Sequence, residues 1–178
     1  MGLPKPYYEH AGITIYNCDA REILPHLPKV DLVLTDPPYG IADIWSGGSA
    51  KHGWGKSNVG RDVRNTWDAE RACPSIITNC RHIAKNTVIW GGNYFADVLP
   101  ATRGWLVWNK PERGFSLAEA ELAWTDKDMV VRVCDCNRSD YGREHPTQKP
   151  IKLMTGALAS SLTPKPSLTL SWALVRHW

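Results

Sequence analysis

The segment Lys29 to Gly40, KVDLVLTDPPYG, sets the tightest limit on how this chain folds. Val30, Leu32, Val33, Leu34 and Thr35 make the near-continuous apolar run of a strand covered on both faces, as in parallel sheets flanked by helices. That run meets Asp36-Pro37-Pro38-Tyr39, where two prolines fix φ and carry no N–H, so the ladder cannot continue. The strand must end in a rigid corner, with a carboxylate on one side and an aromatic ring on the other.

The flanking pattern predicts an α/β architecture. Residues 13–16 read as a short strand, followed by a helix in which Asp19 and Glu22 have capping-box spacing and Ile23, Leu24 and Leu27 face the core. Residues 40–68 are Gly/Ser-rich and aperiodic, the length of a functional or mobile loop. A helix over 69–84, a strand over 86–92 and a short helix capped by Asn93 and reaching Leu99 come next. GWLVWNK is a further strand, and AEAELAWT with MVVRVCD reads as a strand pair. The late segment HPTQKPIKLMTGAL opens a helix with Pro150 in its first turn and Ile151, Met154 and Leu158 on one face. Alternating strands and helices over the first hundred or so residues predict an open, mostly parallel sheet.

Composition excludes several classes. The 178 residues suffice for one domain with a sizeable core, and 43% hydrophobic with 22% charged residues is the balance of a soluble globular chain. No apolar run approaches the ~20 residues that span a bilayer, and the start MGLPKPYYEH lacks the core of a signal peptide and the Ser/Thr of a myristoylation signal. A cytoplasmic protein with no membrane partner is expected. Cys18, Cys73, Cys80, Cys134 and Cys136 contain no CxxC pair, so free thiols and no metal site are expected. With a net charge of only +3, any anionic partner must be met by a local patch.

In an open α/β sheet, ligands bind outside the carboxyl ends of the strands, which is where the corner lies. Asp36 offers carboxylate oxygens, and the Pro37 and Pro38 carbonyls lack a local N–H partner; together they suit both hydrogens of one NH₂ group. Tyr39 offers a face for stacking. The ligand so described is a planar heterocycle with an exocyclic amine, adenine or less simply cytosine. Fixed acceptors on both N–H bonds pyramidalise the nitrogen and free its lone pair for in-line attack, so positioning and fixed dipoles carry the rate. The plainer alternative is a turn after a strand.

TDPPYG after a buried strand, with HPTQKP late in the chain, resembles the amino-group (N6-adenine/N4-cytosine) DNA methyltransferases. The resemblance runs from about Ile13 to Leu158, and its order of motifs is that of the circularly permuted class in which a glycine loop for the cofactor comes last. It implies a Rossmann-like S-adenosylmethionine-dependent methyltransferase sheet, permuted and here truncated at the C-terminus. Residues 1–160 would be an incomplete catalytic domain and 161–178 an aberrant tail. The implied activity is site-specific DNA methylation of the restriction-modification kind, adenine N6 before cytosine N4. S-adenosyl-L-methionine is the implied cofactor and double-stranded DNA with a flipped target base the implied partner. By the same resemblance Asp36, Pro37, Pro38 and Tyr39 hold the base, and Asp19 lies near the cofactor adenine, its other reading being the helix cap. His145, Pro146, Thr147, Lys149 and Pro150 match the segment that contacts the methionine end. Lys149 suits a carboxylate on charge grounds, or is merely a solvated lysine. Trp108 is a pocket wall or a core residue. Lys51, His52, Lys56, Arg61 and Arg64, interleaved with Trp45, Trp54 and Trp67, form the DNA-side candidate or a solvated loop.

Two other readings compete. AKHGWGKS resembles a phosphate-binding loop but has Ala50 where glycine is needed and no strand directly before it; GWGKSNVG misses the GxGxxG spacing. A catalytically inactive DNA-binding remnant is favoured by the residues beyond the last helix. There the family carries Asp-Pro-Phe-x-Gly-Ser-Gly-Thr, whereas this chain reads SSLTPKPSLTLSWALVRHW, with no glycine after Gly156. A base pocket with a crippled cofactor site is expected, and a bare sheet edge beside it. Codons compatible with LTLSWALVRHW, read one frame over from the last base of the Leu168 codon, permit Asp-Pro-Phe-Met-Gly-Ser-Gly-Thr-Thr-Leu. At the Trp172–Ala173 junction the shifted codon is GGC, glycine, whatever codons are used. Sequencing the gene is expected to show that motif in the shifted frame; any other shifted-frame reading refutes a slip.

Overall fold

The computed structural model describes residues 2–41, 68–113, 118–137, 149–161 and 170–171. Among them run strands β1 (Tyr8–His10), β2 (Ile13–Ile15), β3 (Val30–Thr35), β4 (Ala84–Trp90), β5 (Trp105–Asn109), β6 (Ala120–Thr125), β7 (Arg132–Asp135) and β8 (Leu170–Ser171). The helices are α1 (Ala20–Ile23), α2 (Pro74–Ile83) and α3 (Ile151–Ser161), with 3₁₀ turns at Leu24–His26 and Gly92–Phe95. The expected strand over 13–16 forms, but only as a hairpin with β1; it stands apart from the main sheet with Ile13 and Ile15 exposed.

The main sheet has the order β7-β5-β6-β4-β3-β8. β3 lies parallel to β4 and β8, and β7 parallel to β5, while β6 is antiparallel to both β4 and β5. Among the described strands β6 alone runs against the other five, so the sheet is mixed but mostly parallel. β6 and β7 do not pair with each other as the sequence suggested. β6 inserts between β4 and β5, and β7 crosses to the outer side of β5. That edge position leaves Val130, Val131 and Val133 exposed. Leu170 and Ser171, in the stretch expected to be an aberrant tail, pair with Leu32 and Val33, so the edge of β3 is not bare there.

The apolar run of β3 is explained by cover on both faces. One side packs with α1 and α2 through Ala20, Leu24, Val33, Ile76 and Cys80. The other packs Leu32, Leu34, Val88 and Trp90 against Leu153, Met154 and Ala157 of α3. The buried stripe of α3 is thus rotated from the expected one, and Ile151 is 70% exposed. α2 starts at Pro74, not at residue 69. Proline suits the first helical position, where no N–H partner exists, and it drives the preceding Cys73 to extended φ/ψ. The stretch before it is held in extended pairing, with Ala72 N–H donating to the Pro38 carbonyl at 3.0 Å. The expected Asn93 cap is absent: the 3₁₀ turn begins at Gly91 in the left-handed region, with no side-chain cap. All five cysteines are free thiols, and no helix among the described residues is long and apolar enough to cross a membrane.

Trp124 is 1% exposed, packed with Ile77, Ile89 and Phe95, and its indole N–H donates to the Pro100 carbonyl at 2.9 Å. Trp124→Ala is expected to lower the unfolding free energy in urea by ~3–5 kcal/mol. Val133→Ala on the exposed edge should change it by less than ~0.5 kcal/mol.

Candidate active site

The corner after β3 is built by interactions that its two prolines make necessary. With no N–H groups of their own, Pro37 and Pro38 are buried while Asp36 points outward, its side chain 33% exposed. The chain then needs an outside acceptor for the next two N–H groups. Asp68, 1% exposed, supplies it: one of its oxygens, Oδ1, accepts from Tyr39 N at 2.6 Å and Gly40 N at 2.9 Å. The other oxygen of Asp68 is buried without a hydrogen-bond partner. Gly40 has φ +73, and a Cβ there would stand 2.7 Å from Arg71 N, so glycine alone closes the turn. Of the two carbonyls expected to face a ligand, that of Pro38 is taken by Ala72.

The Tyr39 ring stacks on Tyr94 at 4.9 Å between centroids and 17° between planes, and meets Phe95 edge-on at 6.4 Å. Gly91 makes this possible: its φ is +67, and a Cβ would fall 2.1 Å from Tyr39 Cε1. One stacking face of Tyr39 is thus already covered, and Tyr94, 37% exposed, carries the aromatic surface outward. The Tyr39 hydroxyl donates to Asp36 Oδ1 at 2.5 Å. Burial, and after it the Asp36 charge, pushes this phenol well above its usual range, so it stays a neutral donor.

Lys149 enters the same corner from the start of α3, 113 residues away in sequence. Its ammonium donates to Asp36 Oδ2 at 2.7 Å, stands 3.1 Å from Glu121 Oε2, and donates to the Tyr39 hydroxyl at 3.3 Å. It also lies over the rings of Tyr39 and Trp90, at 5.7 Å and 5.5 Å. Glu121 binds Lys110 through its other oxygen, and the Lys110 ammonium lies 4.4 Å from the centre of the Trp108 ring. Burial alone would lower the Lys149 ammonium, but Asp36 and Glu121 outweigh it and raise it above its ordinary value. For Glu121, burial alone would raise the carboxyl; Lys149 and Lys110 outweigh it and hold it low. Asp36, Lys149, Glu121 and Lys110 therefore form a charge-balanced row along the sheet's carboxyl edge.

The other expected site residues divide. Asp19 is the N-cap of α1: its Oδ1 accepts from Arg21 N at 2.8 Å, and its carboxylate pairs with the Arg21 guanidinium at 2.5 Å. Trp108 is a core residue, 5% exposed, whose indole donates to the Cys136 carbonyl at 2.7 Å. His145, Pro146 and Thr147 lie outside the described residues, as do the GKS segment and the basic and aromatic side chains of the long loop. Asp68, Gly91, Tyr94, Lys110 and Glu121 were not singled out by sequence. The signals for them were slight: an Asp closing the glycine-rich loop, a Gly pair after a strand, and one acid inside the apolar strand AELAWT.

Over 47 residues, 25% of the chain, the sequence is 40% identical to Type II methyltransferase M.ScaI of Streptomyces caespitosus. That supports a methyltransferase relationship. The matched stretch spans only 16% of that protein. No family model matches the chain, and no solved structure matches it.

The chemistry open to the corner is set by its parts. Its described residues present one exposed carboxylate and one neutral phenol beside a doubled aromatic plate. Gly91→Ala tests whether the plate depends on that close approach. The substitution is expected to lower the unfolding free energy by more than ~1–2 kcal/mol, since an L side chain at positive φ adds strain to the clash. The near-UV circular dichroism of the stacked tyrosines should weaken with it; an unchanged spectrum and stability would show that Tyr39 does not need the glycine.

Proposed function

We propose that this corner binds the exocyclic amine of a base flipped out of double-stranded DNA, and that the chain is the base-binding half of an amino-group DNA methyltransferase. The observation that carries the reading is the exposed Asp36 carboxylate at the carboxyl end of a parallel strand, braced by the hydroxyl of a stacked tyrosine. The partial match to a Type II methyltransferase supports the same class. In this reading Asp36 and the Pro37 carbonyl accept the two amine hydrogens, which draws the nitrogen lone pair out of conjugation with the ring. Adenine N6 is the preferred target, with cytosine N4 the alternative to be distinguished by product. The scaffold is read as a Rossmann-like, permuted sheet, in which β8 lies parallel to β3.

S-adenosyl-L-methionine is the proposed methyl donor. Two described side chains assigned to it, Asp19 and Lys149, do not fit it as they stand: Asp19 is committed to the helix cap and Arg21, and Lys149 to Asp36 and Glu121. The same observation favours a second reading, a chain that binds DNA without methylating it.

DNA affinity and methyl incorporation from labelled S-adenosylmethionine, measured together on unmethylated DNA, separate the two. The chain is expected to bind DNA carrying an unpaired adenine, and Asp36→Ala to weaken that binding by about tenfold or more, the loss of a charged hydrogen-bond acceptor. Incorporation is expected to be weak or nil and to rise in a variant carrying the shifted-frame sequence after Leu168, with N6-methyladenine as the product nucleoside. Equal binding by the wild type and Asp36→Ala would overturn the base-binding reading. Strong incorporation by the chain as it stands would overturn the crippled cofactor site.

A further inference from the structure

Glu121 has no place in the reading of the corner so far. It sits on β6 opposite Trp108 of β5, two strands from β3, and it is the one charged residue of that strand. Its two oxygens are divided: Oε1 holds Lys110 and Oε2 stands 3.1 Å from Lys149. Lys149 in turn reaches Asp36 Oδ2, while Asp36 Oδ1 receives the Tyr39 hydroxyl.

We infer that Glu121 is a positioning residue for the base-binding corner: anchored by Lys110, it holds the Lys149 ammonium against Asp36 and so fixes the direction in which Asp36 presents its remaining lone pairs. This rests on reading Asp36 and Tyr39 as the amine grip. The geometry explains the arrangement without further parts. A lysine 7% exposed, without Glu121, would face Asp36 as its one anion and the Tyr39 hydroxyl as its one other acceptor, and burial favours its neutral form. A second carboxylate restores the charge. The raised Lys149 and lowered Glu121 agree with that account. The groups facing the ammonium are Asp36 and Tyr39 from the corner, Glu121 from β6 and the uncharged Trp90 ring from β4, with Lys110 behind Glu121.

The sign of the linkage is set by direction. Lys149 above its unfolded value contributes stability below the ordinary lysine value, lost as pH rises through the folded one. Glu121, held low, contributes stability above its ordinary value of 4.5, lost as pH falls through the folded one.

The test is a heteronuclear titration of the lysine side-chain ammonium groups in the full chain, with Lys149 assigned by Lys149→Arg. In the wild type the Lys149 resonance is expected to titrate above the ordinary lysine value. In Glu121→Gln its proton affinity should fall by about tenfold or more, one pH unit, and Glu121→Asp should recover part of that. Affinity for an oligonucleotide with an unpaired adenine should fall in parallel. A wild-type Lys149 that titrates at or below the ordinary lysine value overturns the inference, even if Glu121→Gln fails to fold. An unchanged Lys149 in a folded Glu121→Gln overturns it as well. If Lys149 shifts as expected but no form of the chain binds the oligonucleotide, the amine-grip reading fails and Glu121 loses its role in a base-binding corner.

Discussion

An ammonium group removed from water is destabilising by several kcal/mol unless anions meet it. Lys149 is met by two, Asp36 and Glu121, and by two aromatic faces. That one side chain joins the start of α3 to the end of β3 and to β6, tying together parts of the chain that local structure leaves unrelated. Without its partners the helix would bring a bare cation to the sheet edge. Without the lysine, two carboxylates would stand close together with only Lys110 between them and repulsion.

Rigidity of the corner has a separate source. The prolines end the ladder, Asp68 takes the two N–H groups next in the chain, and Gly91 admits the Tyr39 ring. Each part removes a degree of freedom from Asp36 and Tyr39 before any ligand arrives. Preorganisation of this kind suits a weak nucleophile such as an aryl amine, for which fixed acceptors and alignment supply the rate in place of a covalent group.

Much of this was legible because it is local. The apolar run of β3 and the double proline define the strand end without reference to any partner, and the Asp19 cap is visible in its own turn. The misread elements depend on distant pairing. Residues 69–72 look helical, yet Ala72 is drawn into extended pairing by the Pro38 carbonyl. β6 and β7 look like a hairpin, yet β6 is needed between β4 and β5. The buried face of α3 is set by what α3 packs on, so Leu153 replaces Ile151. The charge row was invisible for the same reason: nothing in the order of residues 36, 110, 121 and 149 says that they meet. Lys149 shows the difference most plainly: the resemblance and its charge suggested a ligand carboxylate, and the fold supplies two of its own.

The central claim is that Asp36 and its neighbours grip the hydrogens of an exocyclic amine. The most direct measurement compares the affinity of the chain for otherwise identical oligonucleotides whose unpaired base is adenine, N6,N6-dimethyladenine or unsubstituted purine. Stacking is nearly the same for all three, so the account predicts that adenine binds more tightly by about tenfold or more, the difference made by hydrogen bonds to a charged acceptor. Equal affinities would mean that the corner reads no amine hydrogens, and would contradict the account.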